Sequence, residues 1–289
     1  MSIPSLSSYS MPAPESFPAN KVSWDFNPQK AVLLIHDMQD YFLKFYGDNS
    51  ELVSTLISNI KALREYCYQQ EIPVVYTAQP DNQSTQDRAL LNDMWGAGLN
   101  EYAELKKVCS ELTPGSHDTV LVKWRYSAFQ RSILENMMKE LGRDQLLICG
   151  IYGHIGCMVT AVDAFMRDIK PFMIGDAIAD FSAREHQMAL SYVATRAGKV
   201  VTTENVIQAK PTSQLTLAQL KTQLLAVIDE DEEDFDHDEN LVDYGLDSVQ
   251  IMSMITEWRK QGIDINFAEL AKNPSLSAWW KLIGEKQAS

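Results

Sequence analysis

Six short runs of apolar, β-prone residues, separated by stretches of helical periodicity, constrain this chain more than any other feature. The runs fall at residues 31–36, 72–78, 119–123, 145–149, 171–175 and 199–202. Helical patterns lie between several of them, at 49–70, 132–141, 157–168 and 184–197. A strand that is apolar along its whole length needs cover on both faces, and a parallel neighbour needs a long crossover. This alternation predicts a doubly wound α/β domain around a six-stranded parallel sheet. It stops near Thr203. Only helical segments follow, at 215–228, 248–261 and 275–283, with a short turn near 267–271, which predicts a small all-α, four-helix domain.

The expected organisation is an α/β domain over 1–207, opened by a Ser- and Pro-rich arm at 1–29, a linker over 208–214, and the helical domain over 215–289. The acidic stretch 229–239 reads as a solvated loop after the first helix of that domain. Net charge is −14, and residues 211–289 carry 15 acids against 6 bases. Nucleic acid is excluded as a natural partner, because phosphate binding needs a basic face; basic protein surfaces fit better. Cys67, Cys109, Cys149 and Cys157 show neither zinc spacing nor a small disulfide framework, which suits a reducing compartment. No apolar run reaches the length of a membrane span, and no signal-peptide pattern is present, so a cytoplasmic protein is expected.

Open parallel sheets bind ligands beyond the carboxyl ends of their strands. Asp37 follows the first run there, and Gln79 the second, with Arg88 and Trp95 in the loop beyond. The third run ends in Lys123, with Tyr126 close behind, and the fourth leads into Gly150-Ile-Tyr152-Gly-His154-Ile-Gly156, which opens a helix. An acid, cations, aromatics and a Gly-containing helix start converge on one crevice.

The helical domain has a focus of its own in Leu241-Val-Asp-Tyr-Gly-Leu-Asp-Ser248. Asp247 can cap the helix that follows, with Gln250 completing a capping box, which leaves the Ser248 hydroxyl exposed and free. A phosphate attached there would meet the positive end of the helix dipole and unpaired backbone N–H groups. The segment resembles the attachment site of a carrier protein, which implies 4'-phosphopantetheine on Ser248.

The strand-end Asp37 and Lys123, with Thr160-Ala-Val-Asp163-Ala164, resemble the isochorismatase-like hydrolase superfamily. Many members use an Asp–Lys–Cys triad with the Cys four residues before that Thr. Here that position is Gly156, and Cys157, turned by about 100° on a helix, reads as packing. Isochorismatases share this departure. His36-Asp-Met-Gln-Asp-Tyr-Phe42, Tyr76-Thr-Ala-Gln-Pro80, Arg88 to Trp95, Lys123 to Phe129, Asp163 to Asp168, Asp264-Ile-Asn-Phe267 and Ala278-Trp-Trp-Lys281 extend the resemblance over nearly the whole chain. It points to the isochorismatases of catecholate siderophore synthesis, of the enterobactin or vibriobactin type, that carry an aryl carrier domain.

The resemblance implies hydrolysis of the vinyl ether of isochorismate to pyruvate and 2,3-dihydroxy-2,3-dihydrobenzoate. Asp37 would act as general acid without a covalent intermediate, with Lys123 and Gly156 as the other catalytic positions. Gln79, Arg88, Lys123 and Tyr152 would contact polar groups of the substrate. Phe42, Trp95 and Tyr126 would wall the pocket. The Gly156 N–H would meet a carboxylate or ether oxygen, and substrate carboxylates would engage Lys123. His36, Asp163 and Asp168 read as structural. No metal is expected, since no His lies between His36 and His117. The carrier half implies a phosphopantetheinyl transferase, a 2,3-dihydroxybenzoate adenylating enzyme and a condensing nonribosomal synthetase as partners, with Met252, Met254, Phe267 and Trp279 as apolar candidates around Ser248. A homo-oligomer is expected. Three other readings stay open at this point: a Cys157-dependent amidase, a catalytically dead carrier, and a generic acyl carrier fused to an unrelated hydrolase.

Overall fold

The computed structural model describes residues 3–209, 215–228, 235–261 and 263–288. Two compact units emerge, Met1–Ala209 and Lys210–Ser289. Residues 210–214 of the expected linker and 229–234 of the acidic stretch lie outside the described residues.

In the first unit, strands β1 (Ala31–His36), β2 (Val74–Ala78), β3 (Thr119–Val122), β4 (Gln145–Ile151), β5 (Lys170–Ala179) and β6 (Lys199–Val201) form one sheet in the order β3-β2-β1-β4-β5-β6. Every pairing is parallel, as the sequence predicts. β1 and β4 lie at the centre and are buried along their whole length. β3, at the edge, leaves Val120 and Val122 exposed. Successive side chains alternate across the sheet. Leu33 and Ile35 enter one core, and Val32 and Leu34 enter the other.

Helices α1 (Glu51–Gln69), α2 (Leu134–Glu140), α3 (Met158–Phe165) and α4 (Ala183–Tyr192) cover the two faces. α1 begins where the Ser50 hydroxyl accepts the Val53 N–H, and it buries the stripe Leu52, Leu56, Ile60, Leu63 and Cys67. That spacing is the 3.6-residue period written into its sequence.

Two departures from expectation bear on the site. β5 runs on to Ala179, past residue 175, where the expected strand ends. Tertiary bonds hold Asp176 in the strand: its carboxylate accepts from the N–H and hydroxyl of Thr203, and its carbonyl accepts from Asn59. Arg88 and Trp95 sit in short helices, Thr85–Arg88 and Leu91–Trp95, rather than in plain loop. Four or five residues are too few for periodicity to register. The N-terminal arm is extended, as expected, but it is also packed. Ile3 and Leu6 are buried, and the Leu6 N–H donates to the Phe45 carbonyl at 2.8 Å.

The second unit holds α5 (Leu217–Leu225), α6 (Ser248–Lys260), α7 (Phe267–Ala271) and α8 (Leu276–Ala288). Capping boxes start α5 (Thr216 with Gln219), α6 (Asp247 with Gln250) and α7 (Asn266 with Glu269). Trp258 and Trp279 meet edge to face at the centre of its core, 6.0 Å between ring centroids. Each indole N–H has a partner, Gln223 Oε1 and the Leu270 carbonyl. Met254 and Trp279 are therefore core, while Met252 and Phe267 are exposed. No helix among the described residues is long and apolar enough to cross a membrane.

Candidate active site

The strand order reverses between β1 and β4, and a doubly wound sheet opens its crevice at that switch point. One cavity lies there. It is lined by every site residue that the sequence suggests for the first unit: Asp37, Phe42, Gln79, Arg88, Trp95, Lys123, Tyr126, Tyr152 and Gly156.

Asp37 is the first residue past β1, and its backbone is left-handed, with φ +48°. For a non-glycine residue that conformation costs about 1–3 kcal/mol and persists only where the surroundings enforce it. Thr77 of β2 does so. The Asp37 N–H donates to the Thr77 carbonyl and hydroxyl oxygen, and the Thr77 hydroxyl donates to Asp37 Oδ1 at 2.7 Å. The second carboxylate oxygen, Oδ2, accepts from Lys123 Nζ at 3.2 Å. Both side chains are buried.

Two more cations line the cavity. Arg88 is buried and clamped: its Nε donates to the Gly96 carbonyl and its Nη1 to Gln83. Gly98, at φ +59°, lets the guanidinium pass close over its backbone, where a Cβ would lie 2.8 Å from Cζ. Burial lowers the Arg88 pKa, and it stays a cation. Arg125 Nη1 donates to the Asp87 and Trp124 carbonyls. Trp95 Nε1 donates to the Tyr126 hydroxyl at 2.8 Å, which ties two aromatic walls together.

One expected contact is corrected. The Gly156 N–H is not free for a substrate oxygen: it donates to the Tyr152 carbonyl at 3.0 Å, as do those of Ile155 and Cys157. The wide turn of the π-helical segment Gly153–Cys157 consumes them. The Tyr152 hydroxyl donates to the Phe42 carbonyl at 2.7 Å, so only its oxygen can accept from a ligand. Burial pushes its pKa well up, which keeps it neutral.

Cys157 is fully buried in the core on the opposite face and does not line the cavity. Burial pushes its thiol well above the ordinary range. Among the described residues the lining holds no Cys, Ser or Thr, so a Cys157-dependent amidase has no nucleophile there. Asp163 accepts from Ser127 and Arg167, and Thr160 Oγ1 accepts the Ala128 N–H. α3 thereby fastens the segment after Lys123. Among the described residues no three His, Cys, Asp or Glu side chains gather as metal ligands.

Sequence reasoning missed Ile3, Tyr41, Leu91, Arg125 and Phe181 as lining residues, and it gave His36 no place in the cavity. Arg125 stood between two named residues. Phe181 follows the true end of β5 and was hidden by the early stop at 175. Nothing in the sequence marks Ile3, which comes from the distant arm.

In the second unit Ser248 is the first residue of α6 and is exposed. Asp247 Oδ1 accepts the N–H groups of Val249 and Gln250 at 2.8 Å each, and Gln250 Oε1 accepts the Asp247 N–H. Ser248 is thus relieved of capping, as expected. A phosphate there would not find those two N–H groups unpaired, as Asp247 has taken them. An exposed hydroxyl with no capping duty suits covalent attachment of phosphopantetheine.

Known proteins resemble this chain in both units. A family model described as the isochorismatase domain matches residues 31–205, and one for the phosphopantetheine attachment site matches residues 218–283. Enterobactin synthase component B of Escherichia coli K12 is 58% identical over 287 residues, 99% of each chain. An isochorismatase of Bacillus subtilis is 46% identical over 298 residues, 98% of this chain and 96% of its own. A solved cysteine hydrolase from Pseudomonas syringae superposes with a TM-score of 0.59 over 66% of this chain and 96% of its own; at 22% identity it speaks for the fold alone. The family model spans more than half of the chain, and two relatives match almost all of it: this protein belongs to the isochorismatase family.

Proposed function

We propose that the α/β domain hydrolyses the vinyl ether of isochorismate, releasing pyruvate and 2,3-dihydroxy-2,3-dihydrobenzoate, and that the helical domain is an aryl carrier for siderophore synthesis. The observation that carries the reading is a cavity with one carboxylate, three cations and aromatic walls, lacking a Cys, Ser or Thr nucleophile among the described residues.

A vinyl ether is cleaved by protonating its terminal CH2 carbon. The oxocarbenium ion that results takes up water, and the hemiketal collapses. This chemistry needs one general acid and no side-chain nucleophile. Asp37 is that acid, since it is the only carboxylate in the lining among the described residues. Thr77 holds Oδ1 and leaves Oδ2 toward Lys123. A substrate carboxylate that takes over Lys123 leaves Oδ2 able to carry the proton to carbon. Arg88 and Arg125, fixed by backbone carbonyls, offer the remaining charge for a dianion. Gln79 and the Tyr152 oxygen orient polar groups. Phe42, Trp95 and Tyr126 restrict water around the cation. Gly156 serves by lacking a side chain rather than by its N–H.

The catalytic domain is taken as 1–207 and the carrier as 215–289, a division supported by two compact units. Ser248 would hold the phosphopantetheine, whose thiol carries the aryl acid. A phosphopantetheinyl transferase, a 2,3-dihydroxybenzoate adenylating enzyme and a condensation module of a nonribosomal synthetase would read the exposed Val249 and Met252 beside it. A cytoplasmic homo-oligomer completes the reading. The test is pyruvate release from isochorismate by wild type and Asp37→Ala. Release by wild type, lost in the variant, supports the reading; a folded wild type that releases none overturns it.

A further inference from the structure

His36 is 1% exposed and reaches the cavity. Its Nδ1 lies 2.8 Å from the Ile151 carbonyl, its Nε2 3.4 Å from the Tyr126 carbonyl, and its Nδ1 3.7 Å from Asp37 Oδ2. Burial, and then the charge of Lys123, push its pKa down to about 4, so the ring is neutral near neutral pH. A neutral imidazole carries one N–H, and the shorter contact puts it on Nδ1, donating to Ile151. Across from the ring lies Gly156. A Cβ there would sit 2.6 Å from Nε2 and 2.9 Å from Nδ1, and nearer still to Cε1. The imidazole therefore fills the space that any side chain at 156 would need. It touches the ends of β1 and β4 and the segment after β3, the three places that supply Asp37, Tyr152 and Lys123.

We propose that His36 and Gly156 act as one unit, in which the imidazole is a positioning residue that sets these three strand ends around the Asp37 carboxylate. The pair fixes where the acid stands relative to the carbon it protonates. Gly156 is small so that the ring can lie there.

The proposal rests on the vinyl ether reading for its assay. Wild-type pyruvate release tests that reading, and ratios among folded variants test this one. The set is His36→Asn, His36→Val, Gly156→Ala and the double His36→Asn/Gly156→Ala. Asn keeps a donor near the Nδ1 position and lacks Cε1 and Nε2, the two ring atoms nearest to a Cβ at 156. Misplacing reacting groups by about 1 Å costs on the order of a hundredfold. On that scale, His36→Val and Gly156→Ala should each lose about tenfold or more in kcat, with KM within about threefold. His36→Asn should recover most of the loss seen with Val. In the Asn background, Gly156→Ala should cost less than about threefold, a non-additivity expected of groups in contact. Equal kcat for the Asn and Val variants, or losses that simply add, overturn the proposal. If Gly156→Ala alone does not fold, a folded and active double variant supports the proposal, and a double variant that also fails overturns it.

Discussion

Lys123 Nζ lies 3.2 Å from Asp37 Oδ2, and the two side chains are only 4% and 7% exposed. Lys123 follows the edge strand β3 and Asp37 the central strand β1, with β2 between them. Removing one member of a buried pair leaves a charge without compensation, which costs about 3–5 kcal/mol. Lys123→Met should therefore melt well below wild type, and Asp37→Asn/Lys123→Met should melt above Lys123→Met. A general acid contributes roughly 10²–10⁴ in rate, so Asp37→Asn should lose that much kcat. Thermal melts and a pyruvate assay on the four proteins of the cycle check both points. A double variant that melts no higher than Lys123→Met would remove the claim of a compensated pair.

Much of this site was legible in the sequence because strand ends are legible. Asp37, Gln79, Lys123 and Tyr152 each stand at or just past the end of an apolar run, and topology alone carries such residues to one crevice. What stayed hidden depends on contacts distant in sequence. Ile3 reaches the cavity from the arm, and Phe181 was lost because Asp176 is held in β5 by Thr203 and Asn59. The Gly156 N–H was misread because a π-helical turn spends it on Tyr152. No pattern of residues announces that a glycine lies opposite a histidine 120 positions away.

The arm is latched as well as packed. The Tyr9 hydroxyl accepts the Asp180 N–H and pairs with His186 Nδ1, both at 2.8 Å. Burial pushes the Tyr9 pKa up, which keeps the latch uncharged. Six residues earlier Ile3 enters the cavity wall. Tyr9→Phe leaves the Asp180 N–H without its acceptor, at a cost of about 1–3 kcal/mol. It should also raise KM, as the arm loosens and Ile3 leaves the wall. Steady-state kinetics beside a melt decide this; a lowered melting temperature with KM unchanged would confine Tyr9 to stability.

At the other end of the chain, Asp247 leaves the Ser248 hydroxyl exposed. With coenzyme A and a phosphopantetheinyl transferase, wild type should gain one phosphopantetheine by mass spectrometry, and Ser248→Ala none. Asp247→Ala should still be modified, more slowly, because losing the cap costs the start of α6 about 0.5–2 kcal/mol. Modification of Ser248→Ala would move the attachment elsewhere.

His154 and Asp180 give the first unit a pH-dependent brace. His154 Nδ1 pairs with Asp180 Oδ1, and its backbone N–H donates to Oδ2. Burial opposes the charged ring, but the hydrogen bond and charge of Asp180, with Glu185 behind, raise its pKa above the ordinary 6.5. A histidine whose pKa is higher folded than unfolded adds stability that is fully present below the unfolded value. That stability is lost as pH rises through the folded value. Phe181 lies against this ring and against Tyr152, with centroids 5.2 and 4.8 Å away, so the brace backs a wall of the cavity. His154→Gln should therefore lower the melting temperature most below pH 6.5, and the gap to wild type should narrow as pH rises. Melts across that range measure it. A gap independent of pH would mean that His154 acts by packing on Phe181 rather than by its charge.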